Sequence, residues 1–362
     1  MKLSRFLSIR SASLIILVFT LVTTSELSSF AQTATGSITG TVTDPSQGSV
    51  AGATVTLTNI ATDEVRTAQT NNLGYYSFPL LPPATYKFEV SASGFQGFVI
   101  SQIVLNVGSA VAQNVALKVG DVNQTITVNE SATQIESESS SLGTAMGNTS
   151  VVDLPTNGRN SYGFAALVPG VRAPNLFTQV AYGNYNDQFL SINGSRANVS
   201  MFLLDGGWNS NSGFNGPGIY PPIDLVQEYK VQTSNLPAEF GNTAGGVINV
   251  VTKSGANDVH GSLYEFLRND AFDANNFFAN RAGEAIAPIR FNQFGGAFGG
   301  PIYIPKVYDG RNKTFFFVSY EGLRWVRAYT SSGTVPTALQ RAGDFSQTFN
   351  GAGQQIAVYD PL

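Results

Sequence analysis

Residues 222–255 read PIDLVQEYKVQTSNLPAEFGNTAGGVINVVTKSG, and the rest of the chain is best interpreted from this stretch. Residues 228–233 alternate with a period of two, which predicts a strand. Turn-forming residues fill 235–243, and the apolar, β-branched run 247–252 is typical of a strand buried on both faces. Gly245-Gly246 stands before that run, where the missing Cβ lets another backbone approach closely. Taken alone, these residues are equally compatible with a hairpin in any β-rich domain.

The composition excludes several classes of function. Only 12% of the residues are charged, against roughly 25% in ordinary globular proteins. The net charge of −4 shows no excess of the basic residues that nucleic-acid binding requires, so we predict no nucleic-acid partner. The chain has no cysteine, and His260 is its single histidine, which leaves too few ligands for thiolate or two-histidine metal sites. We therefore predict no enzyme, no metal site and no cofactor.

The N-terminus has the pattern of an export signal. Three basic residues precede the apolar run 12–22, ASLIILVFTLV, which is too short to span a bilayer comfortably. Small residues at the −3 and −1 positions predict cleavage after Ala31, so residues 1–31 are predicted to be a signal peptide. An N-terminal membrane anchor is the alternative.

Residues 36–119 contain six or seven short β patterns separated by turn residues, at the spacing of a β-sandwich. The clearest alternation places Tyr86, Phe88 and Val90 on a core face and the charged residues between them in water. The pattern G-x-(V/I)-x-D, A-x-V-x-(L/V), T-x-x-x-G-x-(Y/F)-x-F and L-x-P-x-x-Y resembles the carboxypeptidase regulatory-like domain. That resemblance implies a binding or spacer module without a peptidase site, and we interpret its scattered carboxylates as solvating rather than calcium-binding.

The run AEFGNTAGGVINVVTKSG resembles the end of the plug domain in TonB-dependent outer-membrane receptors. Three further segments are similar to the plug motifs of that family and occur in the same order: L-P-x-x-G-R with L-x-P-G-V at 154–171, I-N-G-x-R at 192–196, and L-D-G at 204–206. The resemblance implies a mixed α/β plug over residues 150–255, with a short helix at 161–167 and both strands of the opening stretch in one sheet.

The resemblance also suggests candidate site residues in the plug. Arg159 and Arg196 are candidates for seating the plug by pairing with carboxylates on the barrel wall, and ordinary surface arginines are the alternative. The Gly- and Asn-rich segment 206–220 is predicted to be an apical loop. Trp208, Phe214 and Tyr220 are its candidate ligand contacts, and an exposed loop without ligand contact is the alternative.

Residues 120–149 are rich in Ser and Thr and are predicted to be a linker. Within them, Thr125, Ile126, Thr127 and Val128 resemble the TonB box, a β-prone segment that pairs with TonB through its backbone. We expect this segment to be mobile. A last strand of the sandwich, or a plain linker, is the alternative.

Residues 256–362 are predicted to begin a transmembrane β-barrel that this stretch does not complete. Strands are predicted at 260–269, 290–303 and 314–321, with a turn at 306–313. Phe316, Val318 and Tyr320 fall on one face, as lipid-facing residues do. The segments NQFGGAFGGPIYIPK and DGRNKTFFFVSYEGLR are similar to the Oar-like branch of these receptors. A strand pair in a soluble β-domain is the alternative.

The predicted fold is therefore mainly β: signal peptide, β-sandwich, mixed α/β plug and the first strands of an incomplete barrel. The resemblance implies a receptor in the outer membrane of a Gram-negative bacterium, with the regulatory-like domain in the periplasm. Its predicted partners are TonB with the inner-membrane energising complex, outer-membrane lipid, and an extracellular substrate for which a glycan or peptide polymer is our hypothesis. A surface or adhesion protein without transport activity is the alternative.

Overall fold

The computed structural model describes residues 34–120, 125–128, 141–154, 157–172, 190–211, 213, 215–327 and 335–359. The predicted signal peptide lies outside these ranges. The described chain is mainly β, as predicted. Within these ranges, no helix has both the length and the apolar character needed to cross a membrane.

The sandwich is formed by the first strands of the chain. Their bounds are β1 (Gly36–Thr43), β2 (Thr54–Asn59), β3 (Val65–Gln69), β4 (Tyr75–Leu81), β5 (Ala84–Ser91), β6 (Gly97–Leu105), β7 (Ala110–Ala112), β8 (Val115–Ala116) and β9 (Thr125–Val128). One sheet has the order β4-β1-β7, with β8 also pairing with β1, and the other has the order β3-β2-β5-β6-β9. The alternation predicted for β5 is confirmed, because Tyr86, Phe88 and Val90 are all buried in the sandwich core.

A second group of strands follows in the segment whose sequence resembles a plug, and we call it the plug region (residues 141–255). Its strands are β10 (Leu142–Gly147), β11 (Val171–Arg172), β12 (Ser191–Ile192), β13 (Met201–Leu204), β14 (Gly207–Trp208), β15 (Val226–Ser234) and β16 (Val247–Thr252). Helix α1 (Asn148–Asp153) and 3₁₀ segments at Asn157–Arg159, Ser161–Leu167 and Ile223–Leu225 complete it. The helix predicted at 161–167 is thus present as a 3₁₀ helix.

The main sheet of the plug region has the order β10-β15-β16-β13-β14. β15 is antiparallel to β10 and β16, whereas β13 is parallel to β16. The sheet therefore includes β10, which begins before the predicted domain boundary at residue 150. The prediction that the two strands of the opening stretch share a sheet is confirmed, since Tyr229 pairs with Val250 and Gln232 with Val247.

The last described strands are β17 (His260–Asn269), β18 (Ile289–Pro301), β19 (Tyr303–Ile304), β20 (Tyr308–Asp309) and β21 (Phe315–Arg327). β18 lies between β17 and β21 in one sheet, and β19 pairs with β20 in a hairpin. Helices α2 (Phe277–Arg281) and α3 (Ala338–Arg341) and a 3₁₀ turn at Asp270–Phe272 are the other elements. The predicted turn at 306–313 contains β20.

The chain divides into two compact units. The first extends to Leu263 and includes Gly296–Tyr320, so it contains the sandwich, the plug region and parts of the last strands. The second comprises Tyr264–Gly295 and the residues from Glu321 onward.

Candidate functional site

The core of the plug region lies on one face of the β15–β16 ladder. Tyr229 and Val231 from β15 and Ile248 and Val250 from β16 are fully buried there. Burial raises the pKa of the Tyr229 hydroxyl well above its usual value, so this group stays neutral at physiological pH. As predicted, the residues of β16 from Val247 to Val251 are buried on both faces of the strand.

Gly246 confirms the expected close approach of another backbone. A Cβ at this position would lie 2.5 Å from the Gln232 carbonyl oxygen and 2.6 Å from Cδ1 of Ile192. The position therefore requires glycine for lack of space, and its φ is not in the left-handed region.

Arg159 forms an ion pair with Asp224 inside the plug region. The two side chains are only 15% and 12% exposed, so the pair is largely shielded from water. Arg159 stands in a tight turn with a φ of 53°, directly after Gly158 with a φ of 68°. The predicted seating role assumed a carboxylate on the barrel wall, but the observed partner belongs to the 3₁₀ segment that precedes β15.

Asp224 connects this arginine to two residues that follow β16. Its Oδ1 accepts a hydrogen bond of 2.9 Å from the Ser262 hydroxyl on β17. Burial lowers the pKa of Lys253, and the negative charge of Asp224 partly opposes that shift. One carboxylate thus holds a plug arginine and the first long strand after the plug region. The sequence analysis missed Asp224, although a charged residue between Ile223 and Leu225 was a usable signal.

For the other described candidates in the plug region, no contact with this carboxylate is seen. Arg196 is exposed, and no described carboxylate forms an ion pair with it. Trp208 is 54% exposed on β14, whereas Tyr220 is partly buried and packs edge-on against Tyr162 at 5.5 Å between ring centroids. Phe214 lies outside the described residues. Of the two described members of this trio, Trp208 is the more exposed.

Asn209 fixes the segment that carries Trp208. Its side chain donates hydrogen bonds of 2.8 Å to the Tyr162 hydroxyl and 2.9 Å to the Ile219 carbonyl, and it accepts one of 2.8 Å from the Ile219 N–H. These three bonds tie both ends of the loop to the plug core. Within the described residues, no group of three or more His, Asp or Glu side chains lies close enough to hold a metal ion.

The candidate TonB box forms strand β9 at one edge of the sandwich. It pairs in parallel with β6, with Phe98 opposite Ile126 and Val99 opposite Thr127. This is the arrangement of a last sandwich strand, which is the alternative that the sequence leaves open, and the mobility of the segment stays a prediction. Among the described strands, β9 is the last of its sheet and pairs along one edge, with β6. A strand at the edge of a sheet offers main-chain groups to a further strand.

The last strands expose a continuous apolar face. Val318 is 57% and Tyr320 63% exposed, and Leu263 on β17 is 92% exposed. Phe316 packs against Phe298 at 5.6 Å between ring centroids on the same sheet. Such a face is costly in water and is typical of strands that face lipid.

Replacing Val318 with arginine is expected to impair insertion into the outer membrane. Arginine on a lipid-facing strand position costs about 2–4 kcal/mol at the bilayer midplane. The measurement is the amount of heat-modifiable protein in the outer-membrane fraction, with Val318→Leu as the matched control. Equal insertion of the two variants would show that this face is not in lipid.

Two protein families match parts of the chain. The family described as carboxypeptidase regulatory-like domain matches residues 37–118, and the outer membrane beta barrel domain matches residues 251–362. The first match coincides with the sandwich and the second begins inside β16. Together they define a mainly β protein of the outer membrane with a regulatory-like domain at its N-terminal side. The predicted outer-membrane location in a Gram-negative bacterium is thereby confirmed.

The chain is similar to known TonB-dependent proteins. The TonB-dependent transporter Oar of Myxococcus xanthus is 27% identical over 305 residues, which cover 83% of this chain and 28% of that protein. The probable TonB-dependent siderophore receptor PirA of Acinetobacter baumannii is 29% identical over 133 residues, or 33% of this chain and 17% of that protein. The crystal structure of PirA from Acinetobacter baumannii aligns with this chain at 22% identity and a TM-score of 0.32. The alignment includes 46% of this chain and 23% of the PirA chain.

The two family matches and the two curated relatives confirm the resemblance to TonB-dependent outer-membrane receptors of the Oar-like branch, with an N-terminal regulatory-like domain. The relatives are a transporter and a receptor rather than enzymes. The chain spans 28% and 17% of the lengths of the two curated relatives.

Proposed function

We propose that this protein is a TonB-dependent receptor that binds an extracellular substrate and moves it across the outer membrane. The observation that carries the proposal is the order of the domains. A compact sheet with a buried polar cluster directly precedes strands with an exposed apolar face, and Asp224 joins the two through Ser262. A plug seated at the start of its barrel needs this arrangement.

The proposed energy coupling acts through β9 and β10. β9 lies at a sheet edge, where TonB adds a strand by main-chain hydrogen bonds. The next described strand is β10, which is an edge strand of the plug sheet and is largely exposed. Tension applied at β9 therefore reaches the plug sheet along the chain at an exposed edge strand, where the ladder to β15 starts at Leu142 opposite Ser234.

The substrate enters from outside, and Trp208 is its candidate contact. An exposed aromatic ring on a loop that Asn209 fixes offers a flat apolar surface. That surface suits a sugar ring or a peptide side chain, in line with a glycan or peptide polymer. A siderophore, as in the name of the Acinetobacter relative, is the competing substrate class.

Replacing Ile126 with proline is expected to weaken binding of the periplasmic domain of TonB about twofold to tenfold. Proline removes one N–H from the strand and fixes its φ, and one main-chain hydrogen bond contributes roughly 0.5–1.5 kcal/mol. The measurement is a quantitative pull-down with the purified TonB domain. The sandwich and the plug region should stay folded, because β9 is an edge strand.

Ile126→Ala is the matched control, since it shortens the same side chain but keeps the N–H. If pairing is through the backbone, the alanine variant binds nearly as well as the original protein and only the proline variant is weak. Equal binding by all three proteins would place the TonB box elsewhere in the chain.

A further inference from the structure

Two charged residues lie on the face of the plug sheet opposite its core. Tyr229 points into the core, so its neighbours Glu228 and Lys230 on β15 point the other way. Both are nevertheless buried, at 4% and 5% exposure. A buried charge is costly unless a partner compensates it, so this face must be covered by polar groups.

Val107 of the sandwich, which follows β6, contacts both of these charged side chains. The Glu228 carboxylate accepts the N–H of Val107, at 2.9 Å to Oε2 and 3.1 Å to Oε1. Lys230 Nζ donates a hydrogen bond of 2.8 Å to the carbonyl oxygen of the same residue. An anion thus meets the main-chain donor and a cation meets the main-chain acceptor. Val107 is itself only 1% exposed.

A second contact starts from the same end of the sandwich. The main-chain N–H of Asn257, just after the plug region, donates to the carbonyl of Ala61 at 2.9 Å, and its side chain donates to Asp63 at 3.2 Å. The strand register places the 60–64 turn and the end of β6 at the same end of the sandwich. Tyr86 on β5 pairs on one side with Asn59, which precedes the turn, and on the other side with Ile103, which is close to the end of β6. Both contacts therefore lie at one end of the sandwich.

We propose that this end of the sandwich is a docking surface for the plug sheet, held by the clamp that Glu228 and Lys230 form on the backbone of Val107. The sandwich and the plug then move as one body while the clamp is closed. The clamp is polar and directed at main-chain groups, so its charges are hydrated again when it opens. This makes it a releasable contact rather than a permanent apolar interface.

A consequence for transport rests on the proposed function. β9 belongs to the sandwich sheet, so tension on β9 reaches the plug by two routes. One route follows the chain to β10, and the other passes through the sandwich and Val107 to β15. The regulatory-like domain is then a lever on the plug and not a passive spacer.

The test exchanges the two charges in the protein purified in detergent, as the double variant Glu228→Lys with Lys230→Glu. The net charge and composition stay the same, but each charge now faces the main-chain group that it repels. Hydrogen exchange at the amide of Val107 is expected to become about tenfold to a hundredfold faster, since hydrogen bonds to charged groups contribute roughly 1.5–3 kcal/mol. Amides of the sandwich core, such as those of Val55 and Leu57, should keep their protection.

The sandwich offers a matched control with the same spacing. Lys87 and Glu89 flank Phe88 on β5 as Glu228 and Lys230 flank Tyr229, but they form a water-exposed pair at 2.8 Å. Exchanging Lys87 and Glu89 should leave Val107 exchange unchanged. If the first double variant does not fold, Lys230→Met removes one arm of the clamp, and a severalfold increase at Val107 is expected.

Unchanged exchange at Val107 in the folded charge-exchanged protein would overturn the clamp. This measurement needs neither TonB nor a substrate, so its failure is distinct from a failure of the proposed transport. Conversely, hydrogen exchange at the Val107 amide could be faster in the charge-exchanged protein while the Ile126→Pro variant binds TonB normally. That result would support the docking surface and reject the proposed energy coupling through β9.

Discussion

Replacing Arg159 with alanine is expected to lower the free energy of unfolding of the plug region by about 3–5 kcal/mol. Removing one partner of a buried ion pair leaves the other charge uncompensated, and both side chains here are less than one-sixth exposed. The Ser262 hydroxyl remains on Asp224, but a neutral donor does not replace a cation. Lys253 lies near enough for its pKa to respond to Asp224, so it offsets part of the loss. We therefore expect the lower end of this range.

Tryptophan fluorescence gives a measurement specific to the plug region. The chain has two tryptophans, and Trp208 is the one in the plug region, so a Trp325→Phe background isolates its signal. Urea titrations in that background compare the Arg159→Ala protein with the original.

Arg66→Ala is the control for an exposed ion pair, because Arg66 and Glu64 have 38% and 51% side-chain exposure. Its unfolding is followed by circular dichroism, since the sandwich contains no tryptophan. An exposed pair contributes about 0–1 kcal/mol. Arg159→Lys keeps the charge but loses the planar fork and should fall between the two. Should Arg159→Ala prove as mild as Arg66→Ala, the pair with Asp224 would have no role in seating the plug.

Local patterns predicted most of the strands. Tyr86, Phe88 and Val90 alternate with charged residues, and a strand with one wet face must bury the apolar set. The run Val247–Thr252 has apolar side chains on both faces of the strand, which is unfavourable in water, and it is buried as expected. These assignments need only the period of the side chains along the backbone.

Contacts between distant segments were less accessible to prediction. β10 has the sequence LGTAMG, which contains no clear alternation, and it becomes a strand because the edge of β15 accepts it. Arg159 was predicted to act in seating, but a sequence does not rank the carboxylates that compete for a guanidinium. The partner proved to be Asp224, which is 65 positions away.

The clamp on Val107 had no sequence signal at all on the side of the sandwich. Its contacting groups are a main-chain N–H and a main-chain carbonyl, which every non-proline residue carries. On the side of the plug, Glu228 and Lys230 fit the polar face of an ordinary alternating strand. Only the burial of both charges distinguishes this strand from one whose polar face meets water.

Replacing Gly246 with alanine is expected to destabilise the plug region by about 3 kcal/mol, the upper part of the range for overpacking a core. The added Cβ would meet the Gln232 carbonyl oxygen at 2.5 Å. That oxygen cannot retreat easily, because Gln232 is held opposite Val247 in the β15–β16 ladder. Gly246 is also fixed from the other side, where its own carbonyl accepts the Met201 N–H at 2.9 Å. The same urea titration of Trp208 fluorescence measures the change.

Gly241 supplies the control that separates lack of space from loss of backbone freedom. A Cβ at Gly241 would have the Ala238 carbonyl as its nearest neighbour at 3.8 Å, an ordinary contact, and its φ is not in the left-handed region. Alanine at such a site restricts the unfolded chain and stabilises by about 0.4–1 kcal/mol. The two variants carry the same added methyl group five positions apart and are expected to change stability in opposite directions. If Gly246→Ala behaves like Gly241→Ala, the close approach of the Gln232 backbone does not limit this strand, and the requirement for glycine before β16 has another origin.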